Sequence, residues 1–203
     1  MTMKRISGFT LLELMMVLVI AAILLGIGVP SMQEFIKNNR LITINNEFVS
    51  SLQVARSAAI QHSGVAYVCA SSTVNNAVPV CNNSNNWESG WMAFLDTAGD
   101  GVFNPADPEN DVLLKVWDGV PFSSQVSVRT NSANINAVHY VRFNSRGLPT
   151  TATGVGLQGM FKICDDRGLM HPDGITVLGK GITLSASGSV RTTRDSAQIV
   201  SCL

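Results

Sequence analysis

Four groups of residues in this 203-residue chain carry side chains able to do chemistry. Glu13 is the single charge in the run from Phe9 to Val29. A carboxylate at the centre of a bilayer-spanning helix costs about 2.5–3.5 kcal/mol, and less near its end, so its presence points to a polar partner. The plainer role is a negative charge near a helix start, favoured by the dipole. The second group is Cys69, Cys81, Cys164 and Cys202, which allow three pairings if all are oxidised. No CxxC or HxxxH spacing occurs, and His62, His139 and His171 are scattered, which speaks against a structural metal at the cysteines.

The third group gathers oxygen ligands in one loop: Asp96, Asp100, Asp107 and Asp111, with Gly101 and Asn104 between them. Calcium takes about six to eight such oxygens. The EF-hand alternation is absent, because four positions separate Asp96 from Asp100. A solvated acidic turn is therefore the expectation, with no cofactor and with calcium as the alternative. The fourth group is basic: Lys180, Arg191 and Arg194, with Arg142, Arg146 and Arg167 as further candidates. Clustered arginines neutralise phosphates and give salt-dependent, sequence-independent DNA binding. The stretch from Gly154 to Gly159 matches GxGxxG literally, but it follows a Thr-rich loop and leads into an apolar strand. A dinucleotide site needs strand, turn and helix, so this stretch is a loop. No Walker A, GxSxG or HExxH sequence is present, and no enzyme is expected.

The elements that hold these groups follow from composition and pattern. Hydrophobic residues make up 46% and charged residues 14%, which excludes a disordered chain. Formal charge is zero, which excludes a globally basic nucleic-acid coat. The charge is polarised, however. Residues 57–128 hold seven acids and one basic group, Lys115, whereas residues 129–203 hold eight basic groups and four acids. Phe9 to Val29, as a helix, is about 30 Å long and crosses a bilayer core. Lys4 and Arg5 precede it and hold that end in the cytoplasm, so everything after Pro30 is expected beyond the inner face of the membrane. An ordinary signal peptide is disfavoured by Glu13, and because the apolar run continues into a second helical stretch instead of a cleavage site. Residues 31–62 contain no Gly or Pro and repeat apolar side chains at Met32, Phe35, Ile42, Val49, Leu52, Val54, Ala58 and Ala59. That spacing predicts one apolar stripe for a head to pack on, ended by Ser63-Gly64 with Gly as the terminator.

Beyond Gly64 short apolar runs alternate with Gly, Pro, Asn and Ser. Residues 65–69, 90–95, 112–117, 126–129, 137–143, 159–164, 174–177 and 182–187 read as strands, with Gly179-Lys180-Gly181 as a hairpin turn. Residues 82–86 and 96–111 read as exposed loops. The expected fold is α+β: a long N-terminal helix, hydrophobic and then amphipathic, packed on an antiparallel β-sheet head. The segments are 1–8, 9–30, 31–64 and a β-rich head over 65–203.

The decapeptide Lys4-Arg5-Ile6-Ser7-Gly8-Phe9-Thr10-Leu11-Leu12-Glu13 resembles the leader of type IV prepilins and type II secretion pseudopilins. The resemblance implies cleavage between Gly8 and Phe9 by a prepilin peptidase and methylation of the new amine. It also implies an assembly role for Glu13, paired with the Phe9 amine of a neighbouring subunit, and a helix-kinking role for Pro30. The implied location is a single-pass inner-membrane protein with a periplasmic head, extracellular once assembled.

A narrower resemblance is to the GspH/FimT-type minor pilins, including FimU-like proteins. It is carried by 52–60 (LQVARSAAI), 90–96 (GWMAFLD), Asp100-Gly101, 111–114 (DVLL), Val141-Arg142-Phe143 with Gly147, 161–164 (FKIC) and 184–188 (LSASG). It implies a non-enzymatic minor pilin that helps prime pilus assembly at or near the tip, with other minor and major pilins as partners. A type II secretion pseudopilin is the alternative. An oxidising compartment favours disulfides, and Cys69–Cys81 with Cys164–Cys202 is the preferred pairing, the second supported by the resemblance. Some FimT-type pilins take up DNA through a C-terminal Gly-Arg-x-Arg motif. Here the sequence is Gly188-Ser189-Val190-Arg191, with Ser in place of the first Arg, so DNA binding through Lys180, Arg191 and Arg194 ranks below the assembly role.

Overall fold

The computed structural model describes residues 8–82, 85–106, 111–120, 125–130, 139–199 and 202. Helix α1 runs from Leu11 to Gln61 and passes through Pro30, which has no N–H to give to the Gly26 carbonyl. Its start is capped: the Glu13 N–H donates to Thr10 Oγ1 at 3.2 Å, and the Leu14 N–H donates to the Thr10 carbonyl at 3.2 Å. Thr10 and Glu13 thus stand at the two ends of a Thr-x-x-Glu capping pattern. Its end is a Schellman turn, with the Gly64 N–H on the Ala59 carbonyl at 3.0 Å and the Ser63 N–H on the Ile60 carbonyl at 3.3 Å. Contrary to the expected glycine terminator, the left-handed residue is Ser63, at φ +51°. Gly64 only supplies the closing amide.

The chain divides into two compact units, Met1–Asn39 and Arg40–Leu203. In the first, the apolar side chains are exposed, from Phe9 through Val29 and on to Met32, Phe35 and Ile36. In the second, the helix buries Leu41, Ile44, Phe48, Leu52, Ala55 and Ala59, at steps of three and four. The expected stripe is therefore corrected. Leu52, Ala58 and Ala59 are buried and Val49 and Val54 pack at the margin, but Met32, Phe35 and Ile42 are exposed. The expected list followed the 35/42/49 row, whereas the core takes the 41/48/55 row about 100° round the helix. Asn45, Ser51 and Ala55 lie on the true face and disguised it.

Two antiparallel sheets cover that face, where the pattern suggested one. The first has the order β3-β2-β1-β5-β6: Val112–Asp118, Gly90–Asp96, Val65–Ala70, Tyr140–Phe143 and Pro149–Thr150. The second has the order β4-β7-β8-β9: Ser127–Thr130, Gly159–Cys164, Lys180–Leu184 and Val190–Thr193. Their inner faces join α1 in one core, in which the Phe48 ring lies 5.2 Å from Trp87, 5.3 Å from Trp91 and 4.6 Å from Phe161. Trp87 sits on a 3-10 turn, Trp87–Ser89, that fills the gap between the sheets.

Three strand expectations change. Residues 174–177 form no strand; Gly174 has φ +69° in a turn, and Val177 only bridges Met170. Gly179-Lys180-Gly181 is not a hairpin turn, because Lys180 and Gly181 are paired within β8. The hairpin instead lies at 185–189, where the Ser185 N–H donates to the Ser189 carbonyl at 3.0 Å, so β8 stops at Leu184 rather than Ser187. Gly181 is a strand residue for a packing reason: a Cβ there would stand 2.9 Å from Thr193, 3.0 Å from the Met160 sulfur and 3.3 Å from Ile199. The strand expected over 137–143 begins, within the described residues, at Tyr140. Strands β6 and β9 have no counterpart among the expected runs.

At one end of the head two hairpin turns touch. Gly188, at φ +78°, would place a Cβ 2.4 Å from the Gly147 carbonyl oxygen, so only glycine fits. Arg56 of α1 holds the second turn, donating to the Gly188 carbonyl at 2.8 Å and the Ser187 carbonyl at 3.3 Å.

Candidate functional site

The chemistry-bearing residues lie in three places. At the amino terminus, Gly8 and Phe9 are exposed ahead of the helix, with Phe9 81% accessible. Glu13 occupies the third helical position behind the Thr10 cap, where its charge complements the helix N-terminus. The apolar helix that follows is the one helix among the described residues long and apolar enough to cross a membrane, and none of its most apolar window is buried. Lys4, Arg5 and their neighbours up to Ser7 lie outside the described residues.

The second place is the carboxyl-terminal tail. Both expected disulfides are formed, Cys69–Cys81 and Cys164–Cys202, spanning 12 and 38 residues. The longer one ties the tail over the outer face of the second sheet, on which Met160, Lys162 and Cys164 of β7 alternate with the inward Phe161 and Ile163. The short helix α2, Ser196–Ile199, lays the fully buried Ile199 against Gly181. Burial lowers the pKa of Lys162. Burial, and then the charge of Arg194, does the same to Lys180.

The third place is the acidic loop. Carboxylate oxygens of Asp96, Asp100 and Asp111 lie within 4.8 Å of one another. Asp107 lies outside the described residues. The loop was expected to be exposed, but Asp96 and Asp111 are buried at its two ends because their oxygens serve as turn-closing acceptors. Asp96 accepts the Gly99 N–H at 2.6 Å and the Gly101 N–H at 3.0 Å. Asp111 accepts the Thr97 N–H and hydroxyl at 2.9 and 3.2 Å and the Asn104 N–H at 2.9 Å.

Burial pushes the Asp111 pKa up, and the hydrogen bonds from Asn104, Thr97 and Ala98 outweigh it, leaving the group below its ordinary value. A depressed carboxylate contributes stability that is complete above its unfolded pKa, ~3.9, and is lost as pH falls through the lower folded value. The head's melting temperature should therefore fall from about pH 5 downward, and Asp111→Asn should flatten that slope while lowering the plateau. Thermal melts of both chains from pH 7 to pH 3 measure it; equal slopes would refute it.

Comparison with known proteins decides the class. The family of type II transport protein GspH matches residues 45–200, and the prokaryotic N-terminal methylation motif matches residues 3–29. The chain belongs to the GspH family. It is similar to prepilin peptidase-dependent protein D of Escherichia coli K12, at 36% identity over 63 residues. That match takes in 31% of this chain and spans 43% of the curated relative's length. Its fold is similar to that of the type IV minor pilin FimU of Pseudomonas aeruginosa PAO1, at 20% identity and a TM-score of 0.50, covering 78% of this chain and 92% of that one. This GspH-family chain carries the N-terminal methylation motif at the start of a helix long and apolar enough to cross a membrane.

In this GspH-family head the basic residues stand in different settings. Lys180 is only 5% accessible and is paired within β8 with the inward-facing Ile163, so it is withdrawn from any surface patch. Arg167 pairs with Asp165 at 2.6 Å. Arg142 donates to Thr150 Oγ1 at 2.7 Å, on the other sheet. Arg191 and Arg194 remain exposed. Two structural residues escaped sequence reading. Thr10 was legible as the start of a Thr-x-x-Glu pattern, whereas Arg56 carries no local signal, since its partners lie 131 and 132 residues away.

Proposed function

We propose that the chain is a minor pilin of a type IV pilus, acting in assembly at or near the tip. The reading is carried by the continuity of α1: the apolar rod and the strip that forms the head's core are one helix, Leu11–Gln61. A leader removed behind the rod would cut that helix, whereas cleavage between Gly8 and Phe9 leaves it whole. Prepilin peptidase cuts there, on the cytoplasmic side set by Lys4 and Arg5, and the head faces the periplasm until assembly. Mass spectrometry of the purified chain tests this: a species beginning at N-methylated Phe9 with two disulfides is expected, and one beginning beyond Pro30 would end the reading.

Glu13 supplies the docking signal. Leaving the bilayer for the fibre, its carboxylate meets the Phe9 amine of a neighbour, and a charge without its partner in low dielectric is costly. Glu13→Gln should leave processing and membrane insertion intact and cut incorporation into filaments by at least roughly tenfold, counted by immunogold labelling. Incorporation equal to the native chain would refute the docking role.

A type II secretion pseudopilin is the second reading, favoured by the family description matched over residues 45–200. Deletion separates the two, since loss of surface pili marks one and loss of exoprotein secretion the other. No cofactor takes part: with Asp96 and Asp111 spent on backbone amides, the head should melt within about 1 °C in calcium and in chelator, well below the shift that about 1 kcal/mol of binding gives. The DNA-binding alternative rests on the exposed Arg191 and Arg194, and a gel shift of the double alanine variant measures it.

A further inference from the structure

Among the described residues the two sheets have four edge strands, β3, β6, β4 and β9, and three of them are blunted. On β4, the outward N–H groups of Val128 and Thr130 donate to the Glu88 carboxylate and the Asn85 side-chain carbonyl, at 3.4 and 3.2 Å. On β6, Pro149 has no N–H, and the chain folds back so that the Leu157 N–H donates to the Pro149 carbonyl at 2.9 Å. Strand β9 is four residues long, and its Thr192 is held to Asn45 of α1 at 3.1 Å. Strand β3 differs. It is seven residues long, its strand neighbour is β2, and its other edge makes no hydrogen bond among the described residues. Such an edge is a template for another strand. A register shift between Ala93 and Phe94 sets Leu114 aside, so the regular edge is Lys115 to Asp118. Beside it lies a groove of about 610 Å³, with Arg40, Thr43 and Glu47 on the α1 side and Trp117 and Val120 on the β3 side.

We propose that this groove takes an extended segment of a partner protein as an added strand on β3, with an acidic residue opposite Lys115 and a basic one opposite Asp118. The backbone selects the shape: an extended chain supplies N–H and C=O groups at the spacing of a strand edge, which a sugar or a helix does not. Charge selects the sequence. Lys115 and Asp118 are exposed and form no ion pair among the described residues. They lie on opposite faces of the sheet. Lys115 pairs with Ala93 of the main core, whereas Asp118 stands two residues from Val116, which pairs with Met92 and packs on the outer face. Residues of the added strand that face them are therefore three positions apart, as alternation requires. Opposite charges directly across such a pair attract, and like charges repel. The groove as a whole holds both signs, with Arg40 and Glu47 on α1, so it reads the order of charges and not their sum. A second copy of β3 does not fit. In antiparallel pairing with both inner faces on one side, Lys115 never stands opposite Asp118 of the copy. The groove lies within the unit Arg40–Leu203, so the proposal stands apart from the pilus reading.

The test is isothermal titration of the full chain in detergent micelles, with empty micelles as the blank, against the capped hexapeptide Thr-Lys-Thr-Val-Glu-Val and against maltose. Paired antiparallel to β3, the peptide sets its Lys against Asp118 and its Glu against Lys115. A Kd on the order of 1 mM is expected for it. Methylating every second amide nitrogen of the peptide removes the donors from one of its edges. In one phase this should abolish binding, and in the other it should change the Kd by less than about threefold, because only one edge of an added strand faces β3. Asp118→Lys, at an exposed position, should weaken the hexapeptide roughly fivefold without shifting the melting curve, and replacing the peptide Lys by Glu should restore the affinity. Equal effects of the two methylation phases would mean that no ladder forms. Failure of the charge exchange would mean that no strand lies in this register. Either result, or no heat from the hexapeptide, or tighter binding of maltose, overturns the proposal.

Discussion

Phe48→Ala is expected to destabilise the head by about 3–5 kcal/mol, among the largest losses a single substitution can cause here. Phe48 is fully buried and is the one helix ring that touches Trp87, Trp91 and Phe161 together. Trp91 belongs to the first sheet, Phe161 to the second and Trp87 to the turn between them, so this ring joins all three layers. Its removal leaves a cavity whose walls are held by separate sheets, and they cannot collapse together to fill it. Chemical denaturation of the native chain and the variant, followed by tryptophan fluorescence, measures the loss; a change under about 1 kcal/mol would show that the sheets pack without it.

Cys164→Ser with Cys202→Ser ranks second. Opening a 38-residue loop costs about 4 kcal/mol in the chain-entropy model, against about 3 kcal/mol for the 12-residue loop of Cys69–Cys81. The larger figure understates the consequence, because the tail also seats Ile199 against Gly181, next to Met160 of β7. Releasing it exposes the apolar seat of Ile199. The double variant should therefore melt lower than its Cys69/Cys81 counterpart, and its tail amides should exchange with deuterium faster. A smaller loss than that of the Cys69/Cys81 variant would show that the tail holds on without its bond.

Much of the head was legible because its strands are buried on alternating or on both faces, so they read as apolar runs. Strands β1, β2, β3 and β7 were placed to within a residue at each end. Strands β6 and β9 were missed for a physical reason. They are edge strands of two and four residues, and Pro149–Thr150 or Val190–Thr193 holds too few apolar side chains to mark a face. The turn read at Gly179-Lys180-Gly181 failed because two glycines suggest a reversal, whereas Gly181 is there to let Thr193, Met160 and Ile199 approach. Such a contact joins residues distant in sequence and leaves no local trace.

The same division runs through the functional residues. Gly8, Phe9 and Glu13 stand in a contiguous decapeptide whose chemistry depends on order along the chain and on one apolar helix. The class of protein was readable there before any fold was known. The cysteines announced disulfides, and the compartment implied by the helix favoured them. Whether Lys180 belongs to a basic surface and which row of α1 faces the head were decided only by tertiary packing. A sequence specifies which side chains are apolar, charged or able to bond. The burial of each one is set by neighbours brought in from tens of residues away, and by whether a strand, a tail or solvent arrives on its other side.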